Sequence, residues 1–390
     1  MTKLTSDQRA ARETLLAARS FNRRTILKST AVAVVALGSP MIVKDAFSSS
    51  GEVNFMGWAG YDFKDLFGAF TSKTGIKMNF IEEPDNNTIF AQSKLALQTG
   101  AVDCMEPTVD LVQQYLENDV IQAWDMTKIS IDNYEPSLVS GEIGSRGEVN
   151  GKRYFLPSVW GTEALVFDTQ QNPEVYGTAS LADLFDPKNE GKVVVRAHSS
   201  LAAMGRVLDS QGKLPMPFLD SYKNDDNTRK VWDIVLAEAI KHKKNIVQFW
   251  SSENDAQGAF RTNGCTLGLC WDSTGYHLQA DKLPISYISP KEGAFAWNQG
   301  YLLMKNAKNV EQAHEWAKFV STPEGSAANA KAFAANPSAK GAVALADPSV
   351  AKFYKEAYPG DALSKLWWWP TQTSSFLKLR AEYADKFQAA

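Results

Sequence analysis

The sequence predicts an α/β protein, and two observations support this fold class. Short strand-like runs alternate along the chain with stretches whose apolar residues recur at helical spacing, which is the pattern of helices packed on a sheet. The 390 residues also suffice for two or three folding units with a large core, to which 11 Trp, 12 Tyr and 20 Phe contribute. The net charge of −3 provides no basic surface, so we expect no nucleic-acid partner.

The first predicted unit is a strand, a helix and a second strand. Residues 51–58 alternate between apolar and polar side chains and run into a glycine-containing loop, as a first strand would. Residues 61–73 place apolar side chains on one helical face, and Thr74-Gly75 ends this helix before a strand over 76–81.

The same alternation continues along the rest of the chain. Apolar spacing predicts helices over residues 87–99, 109–118, 229–243 and 310–320. Apolar runs bounded by turn residues predict strands over residues 151–157, 162–168, 192–196, 266–271 and 296–305. Alternating strands and helices favour layers of helices on a sheet throughout.

The N-terminal residues resemble an export signal. Arg23-Arg24 and Lys28 precede an uncharged stretch over 29–43, which is typical of a twin-arginine signal. We therefore assign residues 1–46 to a signal and expect a soluble periplasmic protein. Two alternatives stay open: an ordinary secretory signal, or an uncleaved anchor, although 15 residues are short for a span of about 20.

Cysteine and histidine usage gives no pattern for a metal or cofactor. Cys104, Cys265 and Cys270 match no zinc or haem spacing, and none ends the signal, so we expect no lipid anchor. Pairing of Cys265 with Cys270 after export stays open beside two buried thiols. The four His residues lie far apart in sequence, which gives a multi-histidine metal site little support.

Four tryptophans are candidates for binding a cationic solute. Each lies at the end of a strand-like run beside a glycine or a polar residue, where side chains point into the crevice of an α/β protein. The face of a Trp ring stabilises a desolvated cation by ~2 kcal/mol. Burial in the core is the alternative for each, and we expect at least two in the site. These residues are Trp58, Trp160, Trp271 and Trp297.

A carboxylate is needed beside these rings to offset the charge of a cation. Asp272 is the first candidate, because it directly follows the apolar strand that ends in Trp271. Asp62, Glu106 and Glu163 are weaker candidates, since a solvated loop carboxylate is the alternative for each.

Seven segments in a fixed order carry a resemblance to a known family. They are residues 57–61 (GWAGY), 154–162 (YFLPSVWGT), 180–187 (SLADLFDP), 191–193 (GKV), 290–298 (PKEGAFAWN), 306–309 (NAKN) and 322–324 (TPE). Together they resemble the spermidine/putrescine-binding branch of the extracytoplasmic solute-binding proteins. The resemblance adds Tyr61, in the loop after the first strand, to the ligand-binding candidates.

The resemblance implies two α/β lobes with the ligand in the cleft between them. The chain would cross between the lobes near residues 157–161 and again near 271–275. The implied lobes are residues 51–158 with 275–320, and residues 159–274 with 321–390.

The implied function is that of a periplasmic substrate-binding component of an ABC importer. Such a protein would capture a small cationic, polyamine-like solute by lobe closure and deliver it to an inner-membrane permease, acting as a monomer. We expect no enzymatic activity. Ser199 and Ser200 lie beside His198, but no Gly-x-Ser-x-Gly elbow surrounds them.

One departure from the family pattern leaves the solute open. Polyamine binders of this branch usually carry an Asp after the last Trp of the site, whereas this chain has Asn298. The loss of that carboxylate makes a betaine or sulfonium zwitterion an alternative, with Asn298, Arg196 or Arg261 holding its acid end. A ferric-ion binder is a more distant alternative, because the sequence has no adjacent tyrosine pair.

Overall fold

The computed structural model describes residues 51–390, so the predicted signal over 1–46 lies outside the described residues. The helices are α1 (Lys64–Thr74), α2 (Asn86–Thr99), α3 (Val112–Glu117), α4 (Pro136–Val139), α5 (Gly141–Arg146), α6 (Ala197–Ser210), α7 (Asp225–Lys241), α8 (Glu253–Thr262), α9 (Asp272–Ala280), α10 (Val310–Val320), α11 (Pro323–Phe333), α12 (Pro348–Ala357) and α13 (Ser374–Ala389). Among residues 51–390, none of these helices has the length and apolar character that a membrane crossing requires.

The strands are β1 (Glu52–Trp58), β2 (Lys77–Glu83), β3 (Cys104–Met105), β4 (Ile121–Gln122), β5 (Glu148–Val149), β6 (Lys152–Arg153), β7 (Phe155–Asp168), β8 (Val193–Val195), β9 (Ile246–Phe249), β10 (Leu267–Trp271), β11 (Ile285–Ile288), β12 (Phe295–Met304), β13 (Asn336–Pro337) and β14 (Trp367–Trp368). Short 3-10 turns lie at Val109–Leu111, Ile131–Asn133, Leu181–Phe185, Pro187–Asn189, Phe218–Tyr222, Lys243–Asn245, Ala342–Leu345 and Ala362–Lys365. The strand-helix-strand start of the chain is confirmed.

The main sheet has 12 strands, with the order β2-β1-β3-β12-β7-β10-β8-β9 along its length. At one end β2, β1 and β3 are parallel, and at the other end β10, β8 and β9 are parallel. The antiparallel pair of β7 and β12 joins the two ends. We call them the β2 end and the β9 end of the sheet.

Strand β7 combines two strands that the sequence predicts separately. Pro157 suggested a strand end because proline cannot donate to a ladder. The structure accommodates it with a bulge: Gln299 pairs with Val159 and Gly300 with Pro157, so Ser158 is skipped. A side chain at position 300 would meet the Leu156 carbonyl oxygen at 2.2 Å, so only glycine fits opposite the bulge.

Two large apolar clusters fill the interior. The first packs around β1, β3 and α10, and its largest fully buried side chains include Phe55, Tyr301 and Trp316. The second packs around β8, α6, α7 and α13, with Phe218 and Trp232 fully buried in it. The cysteines Cys104, Cys265 and Cys270 are all buried free thiols, so the pairing alternative does not occur in this structure.

Candidate functional site

A cavity of about 490 Å³ lies between the β2 end and the β9 end of the sheet. Its size is within the range of small-molecule sites. The β2 end contributes the end of β1, the start of α2 and the turn after β3. The β9 end contributes the starts of α6 and α9, the segment after β9, and α13. The cavity is therefore built by segments that are distant in sequence.

Aromatic rings form much of the wall. Trp58 and Trp271 meet edge to face with ring centroids 5.8 Å apart, and Trp250 meets Trp271 at 4.8 Å. The indole nitrogens of Trp58 and Trp250 donate to the carbonyl oxygens of Glu106 (2.7 Å) and Leu269 (2.9 Å). These bonds fix both rings in place. The other aromatic lining residues are Tyr61, Phe249, Trp297, Phe333 and Trp369.

A guanidinium of the protein already lies on two of these rings. The Arg196 Cζ atom lies 4.8 Å from the centroid of Trp250 and 5.3 Å from that of Trp271. Arg196 also pairs with the fully buried Glu163 and donates Nε to Ser199 at 3.1 Å. Part of the aromatic wall that the sequence assigned to a cationic solute is thus in contact with Arg196.

Two aspartates at the β2 end line the cavity. Asp85 caps α2, where its side chain accepts from the backbone N–H of Thr88 at 2.9 Å. Asp110 is buried and accepts from Nε2 of Gln372 at 2.6 Å. Burial raises the pKa of Asp110. These two carboxylates are the acidic groups that the β2 end presents to a bound solute.

A second guanidinium, that of Arg380 on α13, lines the same cavity. Its Nη1 donates to Oε1 of Gln372 at 2.7 Å, and the same amide donates to Asp110. Gln372 therefore bridges a base and an acid. Burial and the neighbouring Arg196 lower the pKa of Arg380 to about 10. Burial, Arg380 and Arg196 together hold the pKa of His198 well below its usual value, so this ring is neutral.

The sequence and the fold of this chain are similar to those of known proteins. Residues 65–357 match the family described as bacterial extracellular solute-binding protein. The chain belongs to this family. The spermidine/putrescine-binding periplasmic protein of Escherichia coli is 24% identical over 337 residues, which cover 86% of this chain and 91% of that protein. The putrescine-binding periplasmic protein PotF of the same species is 26% identical over 280 residues, covering 68% and 72%.

A solved structure supports the same assignment at the level of the fold. The spermidine/putrescine ABC transporter substrate-binding protein PotD from Streptococcus pneumoniae superimposes with a TM-score of 0.68 at 18% identity. The match covers 87% of this chain and 98% of that one. The fold of this solute-binding protein is accordingly that of the two-lobed periplasmic binding proteins, as the sequence predicts.

Half of the predicted ligand-binding residues of this solute-binding protein line the cavity. Trp58, Tyr61, Trp271 and Trp297 do so. Tyr61 lies in the loop after β1, and its ring packs against Phe333 with centroids 4.8 Å apart. Three of the four candidate tryptophans thus line one cavity, and their contact with a solute stays a prediction.

The other predicted residues lie outside the lining. Asp62 is exposed and accepts from the backbone N–H of Lys64. Trp160 packs against the rings of Tyr358 and Trp368. Asn298 is buried, and its Nδ2 lies 3.4 Å from the carbonyl oxygen of Leu138.

Asp272 is fully buried behind the cavity wall. Its Oδ2 accepts from the Thr162 N–H (2.8 Å) and the Tyr358 hydroxyl (3.0 Å), and its Oδ1 accepts from the Ser273 N–H (3.0 Å). Burial raises its pKa to about 7. Asp272 is the first residue of α9, and its carboxylate bonds to Thr162 and Tyr358, neither of which lines the cavity.

Several lining residues escaped the sequence analysis. Trp250 directly follows β9, so the strand-end rule used for the other tryptophans could have found it. Asp85 lies two residues after β2, whereas Asp110 lies five residues after β3, in the turn Val109–Leu111, where that rule does not reach. Arg380 and Gln372 carry no such signal, because their place depends on how the C-terminal segment packs. Within residues 51–390, no group of three or more His, Cys, Asp or Glu side chains is arranged to hold a metal ion.

Proposed function

We propose that this protein is the substrate-binding component of an ABC importer and captures a small amine-type solute in the periplasm. The observation that carries the proposal is the composition of the cavity, where tryptophan rings and three carboxylates, Asp85, Asp110 and Asp385, line one volume. Ring faces and carboxylates are the groups that bind a desolvated ammonium. The names of the two Escherichia coli relatives, which specify spermidine or putrescine, support the same solute class.

We propose that the solute's ammonium group lies near Trp58, Tyr61 and Trp297, with Asp85 and Asp110 offsetting its charge. The Trp58 ring is held by its bond to the Glu106 carbonyl, so it offers a face that is already oriented. Preorganised groups bind with less loss of side-chain entropy. In this proposal Asp85 and Asp110 offset the charge of the bound ammonium, which is the role that the sequence analysis predicted for Asp272.

Capture would proceed by closure of two lobes. The strand pairing supports lobes centred on the β2 end and the β9 end, with β7 and β12 as the two connections. A crossing near residues 157–161 falls within β7, as the sequence predicts. The second crossing is better supported along β12 than near residues 271–275, where α9 begins. Hinge closure around a ligand is a known motion of periplasmic binding proteins. The closed monomer would then dock on an inner-membrane permease.

The test is a thermal-shift panel on the protein lacking residues 1–46, followed by calorimetry. Putrescine, spermidine, choline, glycine betaine, a sulfonium propionate and amino acids including 4-aminobutanoate are the probes, with ferric iron as a metal control. A ligand that binds only the folded state stabilises it and so raises the melting temperature. At a ligand concentration of 100 times Kd, the stabilisation is about 2.7 kcal/mol. We expect a shift with at least one amine-bearing probe. A shift with iron alone would refute the proposal.

A further inference from the structure

Two arginines and three aspartates line the cavity, and an amine alone does not require the arginines. Arg196 lies at the start of α6 and Arg380 on α13, both in the β9 end of the fold. Asp85 and Asp110 belong to the β2 end. Asp385 on α13 also lines the cavity, so the β9 end contributes both arginines and one carboxylate, and the β2 end contributes two carboxylates.

Arg196 is fixed in place by the protein itself. It pairs with the buried Glu163, donates to Ser199, and lies on the faces of Trp250 and Trp271. Its position is therefore set before any solute arrives. A guanidinium held in this way is a preorganised donor for an acid group.

Arg380 is the less compensated of the two. Its one protein bond goes to the neutral amide of Gln372, and within residues 51–390 no carboxylate oxygen lies within 4 Å of its guanidinium. Burial and then the like charge of Arg196 lower the pKa of Arg380, while the nearby carboxylates of Asp110 and Asp85 raise it. Placing a partly buried cation beside another cation is costly unless an anion joins them.

We propose that the solute is a zwitterion whose carboxylate lies at Arg380 and Arg196 while its ammonium group faces Asp85 and Asp110. The proposal rests on the proposed function and narrows its solute to small amino-acid-type molecules. A guanidinium binds a carboxylate through two parallel N–H donors, which gives both affinity and a defined orientation. A diamine of the same length would place its second ammonium against the two guanidiniums, where like charges repel.

The first experiment compares probes of equal length on the unmodified protein by isothermal titration calorimetry. The pairs are 4-aminobutanoate against 1,4-diaminobutane, and 5-aminopentanoate against 1,5-diaminopentane. We expect at least one amino acid to bind about tenfold or more tightly than its diamine. If the diamines bind and the amino acids do not, the proposed function stands and the zwitterion inference fails. If no amine-bearing probe binds, both fail.

The second experiment removes one guanidinium and uses a matched control. Arg380→Gln should weaken binding of the preferred amino acid by about tenfold or more and leave diamine affinity unchanged or increased. Lys378→Gln removes the same charge from an exposed position on the same helix and should change neither affinity. Unchanged amino-acid affinity in a folded Arg380→Gln protein would overturn the inference. If that variant does not fold, the comparison of probes on the unmodified protein decides.

Discussion

At the residue scale, Asp272 shows how a side chain beside the site can serve the fold instead. Its two oxygens accept three hydrogen bonds from Thr162, Tyr358 and Ser273, and no part of the residue is exposed. We expect Asp272→Asn to destabilise the protein by about 1–3 kcal/mol, because an amide retains one acceptor oxygen and leaves buried donors unsatisfied. Chemical denaturation with and without the solute would separate this loss from any loss of affinity.

The raised pKa of Asp272 makes this destabilisation depend on pH. The carboxyl loses its proton near pH 4 in the unfolded chain and near pH 7 in the folded protein. Between these values the folded state holds the extra proton, so the contribution of Asp272 to stability falls as pH rises. The difference in unfolding free energy between the wild type and Asp272→Asn should therefore narrow from pH 4 to pH 7. A constant difference would contradict this account, and Asp62→Asn, at an exposed carboxylate, is the control.

The residue scale also shows how far the sequence could predict the site. Strand-end position led to Trp58, Trp271 and Trp297, which all line one cavity, because the ends of neighbouring strands meet at a crevice. It could not tell which of two consecutive residues faces that cavity. Asn298 follows Trp297 within β12, where successive side chains point to opposite faces, and Asp272 begins α9, where its carboxylate accepts from Thr162 and Ser273.

At the element scale, the pair of β7 and β12 positions the site, and one glycine in β7 keeps it open. A Cβ atom at Gly161 would lie 2.4 Å from Cζ2 of Trp297 and 2.6 Å from Oδ2 of Asp272. We expect Gly161→Ala to destabilise the protein by about 1–3 kcal/mol through overpacking. Because the Trp297 ring must move, solute affinity should fall in the same variant.

The control for this substitution is a glycine that has space around it. Gly258 lies within α8, and no atom comes within 4 Å of a Cβ built there. Gly258→Ala should leave affinity unchanged and raise the melting temperature slightly, because alanine favours a helix over glycine. If Gly161→Ala bound solute as tightly as Gly258→Ala does, Trp297 would not be a ligand-binding residue.

Periodicity predicts part of the fold: the first strand, helix and strand are found, whereas helices such as α6, α8 and α13 are not predicted. The helix over 310–320 matches α10 residue for residue, since its apolar face and the following Ser-Thr-Pro mark both boundaries. Where the structure has the single strand β7, the sequence predicts two strands, because Pro157 resembles a strand end. The bulge opposite Gly300 that accommodates this proline depends on pairing with β12, about 140 residues later in the chain, and single-strand patterns carry no such information.

At the scale of the whole molecule, Gln372 connects the two ends of the sheet across the cavity. Its amide donates to Asp110 from the β2 end and accepts from Arg380 on α13, which packs on α6 and α7 of the β9 end. The side chain is buried, so both bonds form away from bulk water. In an open form the two ends would separate, and this bridge would break. Under the proposed closure, we therefore expect the bridge to favour the closed arrangement of the two ends.

We therefore expect Gln372→Ala to shift the protein toward an open form and to weaken solute binding by about tenfold, since part of the binding energy must then be used to bring the two ends together. Small-angle X-ray scattering is the measurement. The free variant should have a larger radius of gyration than the free wild type, and saturating solute should bring the two values together. Gln170→Ala, at an exposed glutamine, should behave as wild type. Equal radii for the free wild type and Gln372→Ala would mean that closure is set by the apolar packing of Trp58 on Trp271 instead of by this bridge.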